Sequence, residues 1–168
     1  LLKVGVTNMA ECIDVIEGVF SLLGKGDYLM GGPLQNEHGQ MVYFPDEPQF
    51  EGMPKTGPDR RFMSMIGYLG GKYKICGCKW YGSNPDNTQK GYPRSILTTI
   101  LNDADTGAPF AIMSGNQISA MRTGAVPGVV SRHLAKKGAK TVGVIGGGVV
   151  NRGGLLAVKT AVPTIESA

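Results

Sequence analysis

The chain has 168 residues, 42% of them apolar and 18% charged, and its 17 basic and 13 acidic side chains leave a net charge of +4. That is ordinary globular composition, enough for one domain or one and a fraction. The excess charge is scattered, with no basic block longer than the pair Lys136 and Lys137, which argues against a nucleic-acid or membrane partner.

Residues 1–7 lack the charged start and apolar core of a secretory leader, and no run of about 18 apolar residues follows anywhere, so the expectation is a soluble, cytoplasmic protein. Thr7 and Asn8 offer a helix cap. Cys12, Ile13, Val15, Ile16, Val19, Phe20 and Leu23 then keep helical spacing until Gly24 and Gly26, predicting an amphipathic helix. Residues 28–61 are rich in Gly, Pro and charge, broken by a strand-like run at 40–44. Residues 45–58 read as a surface excursion too long for a simple connection, which favours a lid or an inserted segment.

Three strands are predicted at 62–68, 73–81 and 95–102. The last ends at the turn signal Asn102-Asp103-Ala104-Asp105-Thr106-Gly107, with a short strand opposite it at 110–113. Together these predict an antiparallel, hairpin-built sheet. Cys76 and Cys78, two apart in one strand, share a face. With Cys12 they make an odd number and lack a second Cys/His pair at ligand spacing, so they predict buried reduced thiols, no disulfide framework and no metal. Residues 117–137 place Ile118, Met121, Ala125, Val129, Val130 and Leu134 at helical spacing, with Pro127 as a kink or junction. Arg132, His133, Lys136 and Lys137 suit a helix carboxyl end.

Residues 141–145 form a continuous apolar run of the kind a buried parallel strand shows, followed by a Gly-rich turn and a helical stretch at 155–162. The domain boundary falls near Gly138, giving 1–138 and 139–168. A strand, then Gly146-x-Gly148-x-x-Asn151, then a helix is the setting in which a dinucleotide fingerprint has meaning. The glycines admit the pyrophosphate to the backbone at a helix amino terminus. Asn151 stands where a third glycine is usual, so packing there is expected to be looser or differently arranged. The acidic ribose-binding residue falls at or past Ala168, and one strand and helix cannot complete a doubly wound sheet, so the expectation is a fragment of a roughly twofold longer protein.

Lys79 sits in the middle of an apolar strand, on the face of Gly77 and Tyr81. It is either functional, meeting a carboxylate, or an edge-strand lysine facing water. Arg122, among small residues, either presents a bidentate fork to a carboxylate or is merely solvated. Arg60, Arg61 and Arg94 flank turns and stay ambiguous. His38 and His133 read as structural or exposed.

Taken in order, Tyr68-Leu69-Gly70-Gly71, Gly77-Cys78-Lys79-Trp80, Asn84-Pro85-Asp86-Asn87, Gly91-Tyr92-Pro93, Leu101-Asn102-Asp103 and Thr106-Gly107 lead on to Ser119-Ala120-Met121-Arg122-Thr123-Gly124-Ala125 and Ile145-Gly146-x-Gly148. This series resembles the ornithine cyclodeaminase and mu-crystallin family over nearly the whole chain. The resemblance implies an α/β protein: an α+β substrate and dimerisation domain followed by the start of a Rossmann domain binding NAD, with NADP not excluded. It further implies a cytoplasmic homodimer that takes a small amino or imino acid. Lys79 is then the catalytic and substrate-binding lysine, Arg122 and Arg94 join it at the substrate, and Gly146, Gly148, Val149, Val150, Asn151 and Thr123 hold the cofactor.

The activity implied is a cyclodeaminase-like hydride transfer at the α-carbon, a deaminating lyase or an oxidoreductase. The alternatives are an amino-acid dehydrogenase or imine reductase of the same family, or a non-catalytic ligand- and NAD(P)H-binding protein like mu-crystallin. The fragment alone is expected to be inactive. Many relatives carry an arginine in a Pro-x-Arg segment, where this chain has Pro33-Leu34-Gln35, so Arg60 or Arg61 is a candidate substitute. The 45–58 excursion resembles a subgroup of the family named for tyramine oxidase.

Overall fold

A computed structural model describes all of residues 1–168. The chain forms two compact units, one made of Leu1–Lys25 with Gln117–Ala168, the other of Gly26–Asn116.

The first unit is helical. Helix α1 (Met9–Lys25) starts with a reciprocal cap: the Asn8 side chain accepts from the Glu11 backbone N–H and donates to the Glu11 carboxylate. This satisfies one of the amide groups a helix start leaves open. Helix α2 spans Asn116–Leu134 and helix α3 Val149–Ala161. Met9 and Ile13 of α1, Met121, Ala125 and Val129 of α2 and Ala157 of α3 make the core. Glycines set how closely the helices approach. A Cβ on Gly124 would lie 2.8 Å from the Gly153 carbonyl carbon, and one on Gly128 only 2.8 Å from Ile13 Cδ1 and 3.0 Å from Ala157 Cβ.

Of the kink or junction expected at Pro127, the junction does not occur, because α2 runs through it. Proline costs a helix interior about 3 kcal/mol and frees the carbonyl four residues earlier, here that of Thr123. The buried residues on either side, Met121 to Val129, hold the helix together across the gap. On its outer side, Arg132 and His133 donate to Glu17 at 2.8 and 2.5 Å, and Arg132 also pairs with Asp14 at 2.6 Å.

The run at 141–145 departs from the expected buried strand. Thr141 makes one parallel bridge, to Ser167, while Val144 is 42% and Ile145 97% exposed. An apolar run is buried as a strand only where neighbours pair with it, and in this chain no strand pairs with residues 143–145. Ser167 takes part in that one isolated bridge and belongs to no strand.

The second unit is an antiparallel sheet. Its strands are β1 (Tyr28–Met30), β2 (Gln40–Tyr43), β3 (Arg61–Leu69), β4 (Ile75–Ser83), β5 (Ser95–Asp103) and β6 (Pro109–Ser114). They lie in the order β1-β3-β4-β5-β6, with β2 also paired to β3. The hairpin pattern read from the sequence holds, with β4 paired along its length on both sides. The β5–β6 turn is built by Asp103, whose carboxylate accepts from the backbone of Asp105 and Thr106 and from the Thr106 hydroxyl. Residues 44–60 contain no regular element.

Alternation gives the sheet two different faces. On one, Met63 and Leu97 are buried with Ser83. On the other, Phe62, Ile66, Trp80, Ile96 and Ile112 are all large, apolar and exposed. The cysteines are free but half-buried rather than fully buried, since both Cys76 and Cys78 lie on the more open face. Burial raises the Cys12 thiol above its ordinary value, with a smaller push from Glu11.

Candidate functional site

Lys79 occupies the centre of β4, an interior strand, so it is not the edge-strand lysine that the sequence left open. It is half-buried, paired in register with Met65 and Thr99. Its ammonium lies 5.5 Å from the centre of the Tyr81 ring, within the range of a cation–π contact. The Tyr81 hydroxyl is hydrogen-bonded to Ser95 at 3.0 Å, which fixes the ring.

The Arg61 guanidinium lies 5.6 Å from the same ring centre. Arg61 and Arg94 both ion-pair with Asp59, and the buried Ser83 hydroxyl donates to the same carboxylate at 3.1 Å. Asp59 sits at φ +55°, a left-handed turn conformation that Asp tolerates better than most residues. Arg94 is therefore an exposed arginine that pairs with Asp59. Sequence reasoning missed Asp59 altogether. Its signal was an acid directly before two arginines, which becomes informative only once the turn folds it back over β3 and β4.

Arg60 and Arg61, adjacent in sequence, separate. Arg60 sits 5.5 Å from the Phe44 ring centre and donates to the Lys55 carbonyl at 3.1 Å. It lines a cavity of about 400 Å³ with Phe44, Phe62 and Trp80 on the open face of the sheet. Phe62 stacks on Trp80 and meets Phe44 edge-on, each at 6.1 Å between ring centres.

In the helical unit Arg122 is exposed on α2 and lines, with Asn8, Glu11 and Cys12, an apolar cavity of about 300 Å³. Thr123 is half-buried beside it. The Gly-rich turn takes the form a phosphate-binding turn needs. Gly146 has φ +91°, and neither Gly147 nor Gly148 has any atom within 4 Å of where a Cβ would stand. Gly148 caps α3 with no side-chain hydrogen bond, so the first amide groups of α3 point outward unclaimed by a cap. Val149 is exposed and Val150 39% exposed. Asn151 donates from its amide to the carbonyls of Ile145 and Gly146, at 2.7 and 3.0 Å, and Arg152 donates to that of Gly147 at 3.1 Å. Close packing by glycine is thus moved along the helix, to the contact of Gly153 with Gly124. These are features that fit a dinucleotide pyrophosphate: an open cradle, a left-handed glycine and uncapped amides.

A hairpin-built sheet with a central lysine, together with a glycine turn and helix of dinucleotide type, defines the class of protein. A family model, ornithine cyclodeaminase/mu-crystallin, matches residues 5–167, and the chain belongs to that family. It is 40% identical over 126 residues to the N-((2S)-2-amino-2-carboxyethyl)-L-glutamate dehydrogenase of Staphylococcus aureus, a match covering 74% of this chain and 37% of that one. It is also 40% identical over 143 residues to the alanine dehydrogenase of Archaeoglobus fulgidus, covering 84% and 37%. Among solved structures, the delta(1)-pyrroline-2-carboxylate reductase of Thermococcus litoralis, in complex with NADH and L-proline, superposes with a TM-score of 0.74 at 31% identity, over 95% of this chain and 43% of that one. An archaeal alanine dehydrogenase dimer with bound NAD gives 0.73 at 28% identity, over 92% and 42%. The chain thus spans about 37% of the length of the curated relatives named here. No helix is long and apolar enough to cross a membrane.

Proposed function

We propose that the protein to which these residues belong is a cytoplasmic NAD(P)-dependent oxidoreductase acting at the α-carbon of a small amino or imino acid, with cyclodeaminase-type deamination as the variant chemistry. The observation that carries this reading is the uncapped glycine turn at the start of α3, in a chain that also places a lysine at the centre of a sheet. Relatives and structural neighbours that act on such substrates or hold NAD support it. Residues 1–138 supply the substrate and dimerisation region, and residues 139–168 begin the dinucleotide domain.

The bound nicotinamide supplies the hydride acceptor or donor. Gly146, Gly148, Val149 and Val150 bring backbone amides to the pyrophosphate, Asn151 holds the turn in shape, and Thr123 contributes beside it. Lys79 is the catalytic and substrate-binding lysine of this reading. Arg122 adds a bidentate fork, and Arg94 is held ready by Asp59. The free cysteines suit a reducing compartment.

The protein acts as a homodimer, and the exposed apolar face bearing Phe62, Ile66, Trp80, Ile96 and Ile112 is the surface a second copy covers. A contiguous apolar face of that kind marks an interface rather than a solvated surface. Trp80→Glu is expected to shift the protein to monomer in sedimentation, and an unchanged dimer would overturn this assignment.

The test of activity uses the complete gene product with NAD and a panel of amino acids, and with NADH and cyclic imino acids. Turnover is expected in wild type. Lys79→Met should abolish it with the fold intact, because the apolar stem is kept and only the charge is lost. Arg122→Lys should raise KM for the substrate, since an ammonium cannot reproduce the fork. Normal activity of Lys79→Met would remove Lys79 from the site, and nucleotide binding without turnover on any panel member would favour a binding protein.

A further inference from the structure

The excursion between β2 and β3 carries a tip that the substrate and nucleotide readings leave unused. Its base is closed, because the Thr56 N–H donates to the Pro45 carbonyl at 2.9 Å, which makes residues 45–56 a compact surface loop with its ends together. At the far end the Met53 N–H donates to the Phe50 carbonyl at 3.2 Å, and Gly52 takes φ +79°, the left-handed value such a turn requires. Pro45, Pro48, Pro54 and Pro58 each fix a backbone angle, so the loop has little freedom left to lose on being captured. The tip presents an aromatic ring among acids. Phe50 is 68% exposed, and Asp46, Glu47 and Glu51 are exposed and join no ion pair.

The complementary surface lies at the foot of the same loop. The cavity of about 400 Å³ on the open sheet face has the rings of Phe44, Phe62 and Trp80 for walls, Pro54 of the loop beside them, and Arg60 as its one charged residue. Gly82 leaves room for the Phe62 ring, since a Cβ there would stand 3.0 Å from it. Arg60 donates to the Lys55 carbonyl and faces the Phe44 ring, and no carboxylate pairs with it. Apolar walls with one unpaired guanidinium fit an aromatic ring that has a carboxylate beside it. In its own chain Phe50 lies outside the cavity.

We infer that the acidic tip of one copy enters this cavity on a second copy, the Phe50 ring among Phe44, Phe62 and Trp80 and the Glu51 carboxylate on Arg60, with the same contact made in return. This rests on the dimer proposed above and continues its surface, because Phe62, Trp80 and Ile96 belong both to the cavity and to the exposed apolar face. A twofold axis closes such an exchange, since tip meeting cavity in one direction implies the same in the other. An aromatic anchor seated in a pocket, with a charge pair beside it, is the kind of contact that carries most of an interface's energy. The excursion is then a clasp between copies.

The test separates the clasp from the sheet face. Dimer dissociation is measured by sedimentation on the complete gene product, with a melting temperature on each variant to show that the fold survives. Phe50→Ser, at an exposed position, should raise the dissociation constant about tenfold or more. Arg60→Glu should raise it as far, by setting like charges against each other. Adding Glu51→Arg to that variant restores opposite charges at the two positions and should bring the constant back to within about threefold of wild type. Absence of that rescue overturns the assigned pairing. Ile112→Glu probes the sheet face away from the cavity. If it abolishes the dimer while Phe50→Ser and Arg60→Glu leave it unchanged, the inference is overturned, the dimer reading stands, and the cavity is left to another ligand. A wild type that stays monomeric at every concentration refutes both.

Discussion

The two compact units are held together by opposite means. In the helical unit the decisive positions are those with nothing to spare: Gly124 against Gly153, and Gly128 against Ile13 and Ala157. In the sheet unit the strands are already bound by backbone ladders, and what the side chains add on one face is polar, a carboxylate shared by two arginines and a serine. The first arrangement fails when atoms are added. The second fails when a charge is removed, and it fails by less, because solvent reaches the groups involved.

Four measurements break or sharpen that contrast, each on the complete gene product. Gly124→Leu should be the most damaging, because its Cβ would stand 2.8 Å from backbone that cannot rotate aside. A loss of about 3 kcal/mol or more is expected in denaturant unfolding, and a loss below about 1 kcal/mol would mean that α3 shifts freely. Ile13→Ala, at a fully buried position, should cost about 2–5 kcal/mol by emptying the space between the three helices. Asp59→Ala should cost about 1–2 kcal/mol by stranding the buried Ser83 hydroxyl and two cations in a half-exposed cluster.

The smallest effect is a pH dependence shared by the two units. Glu17 is held below its ordinary value of 4.5, first by its bond to Arg132 and then by that to His133. Asp103 is held below 3.8, first by the Thr106 hydroxyl and then by the Thr106 backbone. Both folded values are depressed, so each group's contribution is complete above its ordinary value and is lost as pH falls through the lower, folded one. Melting temperature should therefore fall more steeply below about pH 4.5 in wild type than in Glu17→Gln with Asp103→Asn. Parallel curves would remove both groups from the balance.

Much of this was legible in the sequence. The amphipathic spacing of Ile13, Ile16 and Phe20 marked α1, and the turn signal from Asn102 to Gly107 marked the β5–β6 hairpin, because both rest on local periodicity and turn chemistry. At Pro127 propensity left a junction open that does not form, because α2 is held by the buried residues Met121 and Val129 on either side of it. Residues 141–145 misled for the converse reason: an apolar run specifies a buried strand only when strands pair with it. For the candidate site, Lys79 and the glycine turn stood out by residue type and setting. Asp59 did not, since its role depends on a left-handed turn returning it to strands reached only later in the chain. Arg60 and Arg61 part company because the strand begins at Arg61, one residue before the Phe62 read from the sequence.

The two hydrogen bonds that Asn151 sends back to Ile145 and Gly146 bear on the thermodynamics of nucleotide capture. They fasten the turn through its carbonyls, so the opposite edge of each peptide, the N–H edge, is the one left for a phosphate. A turn already rigid before its ligand arrives spends little ordering entropy on binding. In the proposed nucleotide site Asn151 therefore supplies preorganisation, the contribution a third glycine would make only by allowing close approach, and a dissociation rate, more than an association rate, is the quantity an Asn151→Gly exchange is expected to change.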